Sequence, residues 1–182
     1  MATEATTETG NGTAKTSGGI DIGELSRRMA VESFNAGNYE LVDQYVAADA
    51  GFHDASMPAR MRAMRGPELF KQLTGIYRSA FSELTMEVDE MIVQGDSVAS
   101  RWHCSGVHTG ELEGLAPTGR RVTVTGMTVD HWRDGKVVDS WNEWDNLGLA
   151  RQIGAAPAED SLGEKLGTWM QRLTARRLRR TS

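Results

Sequence analysis

The sequence predicts an α+β fold, in which three helices pack on one face of a strongly curved antiparallel sheet. Two observations lead to this fold class. Apolar residues recur at helical spacing through the first half of the chain, up to about residue 81. From residue 84 onward they alternate with polar residues, and short turns join the alternating segments. Strands joined in this way form a meander, and the helices bury their apolar faces on one side of it.

Three helix starts can be located from their capping residues. Asp21 and Glu24 have the spacing of a capping box, and the helix that follows ends near Gly37. Asn38 is placed to cap a second helix, and Pro67 sits in the first turn of a third, where proline is tolerated. The apolar positions at helical spacing are Leu25, Met29 and Phe34, then Leu41, Val42, Tyr45 and Val46, and finally Leu69, Phe70, Leu73, Ile76, Tyr77 and Phe81.

Four strands are predicted in the second half, over residues 84–93, 97–106, 122–132 and 137–144. A Gln-Gly-Asp turn joins the first two, and a loop rich in Gly and Pro spans residues 108–119. Asp134-Gly135 joins the last two, because this dipeptide readily adopts the positive φ angles of a hairpin turn. A strongly curved sheet folded over helices encloses a pocket, and we expect the functional site there.

The chain ends differ from the middle. Residues 1–19 are rich in Thr, Glu, Gly and Ser and predict a disordered tail, leaving a domain over residues 20–154. Residues 155–182 predict a linker and a basic amphipathic extension. Residues 164–182 alone carry a net charge of +5, so the rest of the chain carries −10. This extension is expected either to contact a partner or to be a solvated, fraying end.

Composition excludes several classes of protein. The chain has 39% hydrophobic and 25% charged residues and no apolar run of about 20 residues, which is typical of a soluble protein without membrane spans. Cys104 is the single cysteine, so a disulfide and a thiolate metal site are excluded and a cytoplasmic location is expected. The four histidines lack metal-ligand spacing, so no metal is expected. No phosphate-binding loop is present, and an acidic body disfavours nucleic acid.

A candidate site lies on the last hairpin. Antiparallel pairing there brings His131 and Asp145 onto adjacent strands, and we expect them to face one cavity, as a base beside an acid. Trp141 shares strand parity with Asp145, while Met127 and Val129 share parity with His131. These apolar side chains would raise the pKa of a buried aspartate and hold an aromatic ring.

Several motifs together resemble the SnoaL-like polyketide cyclases of the NTF2-like superfamily. The similarity extends over residues 21–154 and rests on the order of the motifs. These are Glu-Ser-Phe-Asn-Ala-Gly-Asn at 32–38, Gly-Pro-Glu at 66–68, Gly-Val-His-Thr-Gly-Glu at 106–111, Gly114, Ala-Pro-Thr-Gly-Arg at 116–120, Asp-Gly-Lys-Val-Val at 134–138, Trp141, Asp145, Leu-Gly-Leu at 147–149 and Gln-Ile-Gly at 152–154.

The resemblance implies a cone of three helices and a curved sheet, a homodimer or higher homo-oligomer, no cofactor, and a hydrophobic small-molecule substrate. It implies a lyase or isomerase type of enzyme that closes a ring of a polyketide ester by intramolecular aldol condensation. Asp145 matches the family's acid/base on the last strand, and His131 matches a histidine that lines the pocket on the preceding strand.

Further candidates, and less specific interpretations, accompany this pair. Glu143 shares parity with Asp145 and would either enter the cavity or lie beyond its rim. Arg101 would grip a substrate oxygen if it points inward, and His53 would line the pocket mouth or belong to a solvated loop. Asp145 itself would alternatively cap a following helix, and His131 would be an ordinary histidine of a sheet.

Two other functions remain open at this stage. The same fold supports isomerisation, dehydration or assisted hydroxylation, because the NTF2-like architecture hosts many reactions. A ligand-binding or assembly module that kept the cavity without the catalysis is the alternative from a different class, with the basic extension as its partner contact.

Overall fold

A computed structural model describes residues 19–178. The helices and strands, in chain order, are α1 (Ile22–Ala36), α2 (Glu40–Tyr45), β1 (Val46–Asp54), α3 (Gly66–Ala80), β2 (Phe81–Gln94), β3 (Ser97–His108), β4 (Arg121–Arg133), β5 (Lys136–Trp144), α4 (Asn146–Gln152) and α5 (Leu162–Leu178), with a short 3-10 turn at Ala59–Met61. The predicted tail lies in residues 1–19, of which 1–18 fall outside the described part.

The three predicted helices are confirmed. Asp21 caps α1, with its carboxylate accepting from the Glu24 amide at 3.0 Å, and Gly37 ends the helix at φ 67°. Asn38 accepts from the backbone N–H of Glu40 at 3.1 Å at the start of α2, although Tyr39 occupies the N-cap position. Pro67 lies in the first turn of α3.

One strand was not predicted. The apolar residues assigned to the end of the second helix belong partly to β1, because α2 ends at Tyr45 and the chain becomes extended at Val46. β1 pairs in parallel with β5, and the strand order is β1-β5-β4-β3-β2. The antiparallel meander of the four predicted strands is therefore confirmed, and the sheet gains a parallel edge strand. Its burial lacks a simple alternation, so local periodicity could not reveal it.

The register of the sheet separates two faces. Trp102 on β3 lies opposite Gly126 on β4, whereas Arg101 lies opposite Met127, and Met127 in turn lies opposite Glu143 on β5. Because side chains alternate, the first pair faces the helices and the second set faces outward. The concave inner face is thus built from the even-numbered residues of β3, β4 and β5, except that Val137 faces inward beyond the register shift next to Trp132.

The core fills the space between this inner face and the helices. Ile22, Val42, Val98, Trp132 and Val137 form its centre near α1 and α2, and they are buried almost completely. A second cluster around Phe81, Leu149 and Ile153 closes the other end of the sheet. Between the two clusters the packing opens into a cavity. Within residues 19–178, no helix has the length and apolar character needed to cross a membrane.

Candidate active site

A cavity of about 170 Å³ lies between α1, α3 and the concave face of the sheet. Most of its lining is apolar, with Phe34, Phe70, Leu73, Met86 and Val124 among the contributing side chains. The carboxylates among the described residues that line it are Asp54 and Asp130. The chemistry available inside the cavity therefore centres on these two groups.

Asp130 lies on β4 and lines the cavity. It is paired across the sheet with Ser140, whose hydroxyl donates to Asp130 Oδ1 at 2.7 Å. Ser26 of α1 also bonds to this carboxyl, and Ser26 Oγ accepts from the Trp132 indole at 3.2 Å. Burial is the strongest influence and raises the pKa of Asp130 above its ordinary value, against the lowering effect of the two serines. The Asp130 side chain is half-buried, and it lines the cavity.

A row of hydrogen-bonded polar side chains crosses the sheet next to the Asp130–Ser140 pair. Asp54, Asn142 and Thr128 lie side by side on β1, β5 and β4. Asn142 Nδ2 donates to Asp54 Oδ2 at 2.9 Å, and Asn142 Oδ1 accepts from the Thr128 hydroxyl at 2.9 Å. The Trp102 indole donates to Thr128 Oγ1 at 3.0 Å, so four side chains form one continuous chain of hydrogen bonds.

Gly126 makes room for the end of this chain. A Cβ at position 126 would overlap the Trp102 ring, so the glycine allows the indole to lie over β4 and reach Thr128. Both residues are buried, with Trp102 only 8% exposed. The close approach explains why a glycine occupies the middle of an otherwise regular strand.

The other oxygen of Asp54 is also occupied. Asp54 Oδ1 accepts from the backbone N–H of Ser56 at 2.8 Å and from its hydroxyl at 2.5 Å. The Trp144 indole donates to Ser56 Oγ at 3.1 Å. Burial raises the pKa of Tyr77, which also bonds to Ser56, to about 12, so the phenol stays a neutral hydrogen-bonding group.

The two carboxyls differ in surroundings although they share one cavity. Burial dominates the surroundings of Asp130, whereas Asp54 accepts three hydrogen bonds. The pair Asp130–Ser140 and the pair Thr128–Asn142 occupy successive positions on the same face, about 7 Å apart along the strands. A substrate bound over this face would meet both carboxyls.

The expectation that Asp145 faces the cavity is wrong. Asp145 follows β5, is exposed, and caps α4, with its Oδ1 accepting from the Gly148 amide at 2.7 Å. The alternative interpretation, a helix cap, describes its position correctly. The strand ends one residue earlier, at Trp144, and Asp145 has the parity of Trp141 and Glu143, which face outward.

The remaining residues of the predicted pocket wall lie on the convex outer face. His131, Val129 and Met127 pair with Asp139, Trp141 and Glu143, and each pair faces away from the helices. Met127 and Trp141 are 56% and 52% exposed. His131 Nδ1 bonds to the Ser97 hydroxyl at 3.0 Å. These residues do share one face, as predicted, but it is the outer face. All residues of one parity lie on the same side of a strand, so assigning the wrong parity to the cavity misplaced all of them at once.

Arg101 and His53 complete the comparison. Arg101 points outward and forms ion pairs with Asp89 at 2.8 Å and Glu90 at 3.4 Å, so it does not reach into the cavity. His53 lies on β1, borders both the cavity and a groove on the outer face, and bonds to Asp139 at 2.8 Å. His53 therefore borders the cavity, and its contact with a substrate stays a prediction.

Asp130, Thr128 and Asn142 were missed from the sequence. One pattern in the sequence could have indicated them. Small or polar residues occupy even positions in the middle of β4 and β5, whereas larger side chains occupy the odd positions beside them. That pattern fits either face until the register is known. Among the described residues, no three His, Cys, Asp or Glu side chains come close enough together to hold a metal ion.

Comparisons with known proteins agree with this architecture. The family model of the SnoaL-like polyketide cyclases matches residues 24–153. Aklanonic acid methyl ester cyclase AcmA of Streptomyces galilaeus is 33% identical over 133 residues, covering 70% of this chain and 87% of that protein. Nogalonic acid methyl ester cyclase of Streptomyces nogalater is 32% identical over 125 residues, covering 68% and 91%. The structure of TsrD from Streptomyces laurentii has a TM-score of 0.64 at 25% identity, covering 74% of this chain and 95% of that protein.

Proposed function

Because the chain belongs to the SnoaL-like polyketide cyclase family, we propose that it closes a ring in a hydrophobic polyketide ester by intramolecular aldol reaction. The observation that carries this proposal is the apolar cavity lined by two carboxyls, Asp54 and Asp130. An aldol closure needs a proton removed from a carbon beside a carbonyl and a proton delivered to the new alkoxide. Two carboxyls in different surroundings suit these two tasks.

Asp130 is the proposed proton donor. Burial raises its pKa, so its carboxyl favours the neutral form that can donate a proton to the oxygen of the acceptor carbonyl. Ser140 and Ser26 hold the carboxyl in place, and a serine hydroxyl can either donate or accept as the proton leaves. The apolar surroundings strengthen this interaction, because electrostatic interactions are stronger where the local dielectric constant is low.

Asp54 is the proposed base. Its partners, Ser56 and Asn142, all donate hydrogen bonds to it, which orients the carboxylate toward the cavity. In the proposed reaction Asp54 takes the carbon-bound proton, the carbanion forms the new carbon–carbon bond, and Asp130 protonates the resulting alkoxide. Asp54 then carries the proton that Asp130 has lost, and exchange with solvent restores both groups.

The test compares three aspartates with one probe substrate, aklanonic acid methyl ester, which the name of the Streptomyces galilaeus relative indicates. We expect D130N and D54N each to lower kcat by at least about 100-fold, because Asn cannot transfer the proton. D145N should keep kcat within a few-fold of the wild type, because Asp145 lies outside the cavity. Urea unfolding of each variant would establish that the fold is retained.

The opposite result is equally informative. Should D145N lose turnover while D130N retains it, the assignment of the acid/base to Asp145, which matches the family motif, is restored. Should all three variants bind and convert the ester as the wild type does, the cavity carboxyls have no part in the reaction.

A ligand-binding role is the second candidate. It is favoured by the completeness of the hydrogen-bond network, since Asp54, Asn142, Thr128 and Trp102 satisfy one another without a ligand. Such a protein would bind the ester tightly and release it unchanged. Equilibrium binding without product formation over many hours would select this candidate over the cyclase.

We also propose that α5 joins copies of this chain into a homo-oligomer. Leu162, Leu166, Trp169 and Met170 are between 54% and 84% exposed and lie on one stripe of the helix. Residues 164–182, which include every member of this stripe except Leu162, carry a net charge of +5, whereas the rest of the chain carries −10. A second copy therefore offers a surface of complementary charge.

A further inference from the structure

A groove of about 400 Å³ lies on the outer side of the sheet, beside the end of β1. His53, Arg62, Arg65, Trp141 and Glu143 border it. Phe52, His53 and Asp54 border both this groove and the inner cavity. The groove has the size of a site for a small organic molecule, and the proposed cyclisation makes no use of its outer residues.

One wall of the groove is a rigid aromatic shelf. The rings of His53 and Trp141 stack with centroids 3.9 Å apart and an angle of 14° between their planes. Asp139 ties them together, since its Oδ1 bonds to His53 Nε2 at 2.8 Å and its Oδ2 accepts from the Trp141 indole at 2.8 Å. Because Trp141 is 52% exposed, part of its ring is left open to a ligand.

The backbone next to the shelf accommodates Asp139. A Cβ at position 51 would lie 2.5 Å from Asp139 Oδ1, so the glycine found there leaves the space that the carboxylate occupies. Gly51 pairs with Asp139 across β1 and β5. The orientation of both rings thus depends on a bidentate carboxylate and on one position without a side chain.

Two guanidinium groups stand on the same groove. Arg62 and Arg65 are exposed, and neither forms an ion pair within the described part of the chain. Arg65 Nη1 donates to the backbone carbonyls of Arg62 at 3.0 Å and Met64 at 2.6 Å, which holds this side chain against its own loop. A guanidinium carries five N–H donors, so most of those of Arg65 remain available for an anion.

We propose that this groove is a second binding site, for an aromatic carboxylate. The ring of the ligand would stack on Trp141, and its carboxylate would accept hydrogen bonds from Arg62 and Arg65. Glu143 borders the same groove and opposes an anion, so it limits the affinity. The proposal does not depend on the cyclase assignment, because its ligand contacts Trp141, Arg62 and Arg65, none of which has a role in the proposed cyclisation.

The experiment is a calorimetric titration of the full chain with 2-naphthoate, with 2-naphthamide as the uncharged probe of the same shape. We expect saturable binding of the acid and binding of the amide that is at least about tenfold weaker. R62A and R65A should each weaken binding of the acid about tenfold, and E143Q should strengthen it. W141L should weaken binding of both probes, because it removes the stacking surface.

Arg60 supplies the matched control. It lies on the same segment as Arg62 but is paired with Glu113 and does not border the groove, so R60A should bind 2-naphthoate like the wild type. Equal affinity for acid and amide, wild-type affinity in both R62A and R65A, or no saturable binding at all would overturn the proposal. Loss of cyclase turnover in D130N with unchanged 2-naphthoate binding would separate this site from the cavity.

Discussion

At the scale of single residues, two aspartates of the same hairpin have pKa values shifted in opposite directions, because they lie on opposite faces of the sheet. Asp130 and Asp139 occupy the two strands of one hairpin and face opposite sides of the sheet. Burial raises the pKa of Asp130. Burial alone would raise that of Asp139 too, but hydrogen bonds from Trp141 and His53 hold it below its ordinary value.

The raised pKa of Asp130 makes a prediction about stability. An acid that is harder to ionise in the folded than in the unfolded chain stabilises the fold at pH values below its pKa in the unfolded chain, near 3.8. This contribution is lost as the pH rises through the pKa of the group in the folded chain. The free energy of unfolding of the wild type should therefore fall relative to that of D130N as pH increases from about 4. Urea unfolding of both proteins across this range measures the difference.

A matched control is D139N, because the pKa of Asp139 is lowered and its contribution has the opposite sign. Relative to that variant, the wild type should lose stability as pH falls toward the lowered pKa of Asp139. If the wild type and D130N differ by a constant amount at every pH, Asp130 does not titrate differently in the folded chain and its proposed role as donor loses its support.

At the scale of elements, the face of the β4–β5 hairpin that was predicted to line the cavity is its outer face. Strand locations, the Asp-Gly turn and the shared parity of Met127, Val129 and His131 could be predicted from the sequence, because alternation and turn chemistry are local. The face that meets the helices could not. Trp102, Trp132 and Trp144 point inward while Trp141 points outward, so hydrophobicity alone did not distinguish the faces.

Asp145 belongs to this scale because it starts α4. Removing its cap should cost about 1 kcal/mol of unfolding free energy in D145A, within a range of about 0.5–2 kcal/mol. D145N should lose much less, because Asn is also a good capping residue. Urea unfolding compares the two variants, and equal losses in both would indicate that the charge of Asp145, and not the cap, contributes the stability.

At the scale of the whole molecule, an acidic body carries a basic helix with an apolar stripe. Arg151 connects the two, since its guanidinium bonds to Glu159 at 2.6 Å and to Glu164 at the start of α5 at 2.7 Å. This arrangement holds the beginning of α5 while leaving Leu166 and Trp169 exposed. Exposed apolar residues grouped on one stripe are typical of an interaction surface.

Removal of residues 155–182 should therefore reduce the assembly of the chain. We expect light scattering after size exclusion to show a smaller oligomer for the truncated chain and for the double variant L166E/W169E, because both remove the apolar stripe. T168E is the control, since Thr168 lies outside that stripe on the same helix. An unchanged number of subunits on truncation would contradict the proposed role of α5.

The sequence by itself determined the fold class, the family, three helices, four strands and the turn between the last two, because caps, turns and periodicity act over a few residues. The tertiary structure decided the parallel pairing of β1 with β5, the face that encloses the cavity, and hence the identity of its carboxyls. Asp54 and Asn142 are 88 positions apart and meet only when β1 joins β5. Such long-range pairing depends on packing between distant segments, and a period of two residues leaves no local trace of which side is buried.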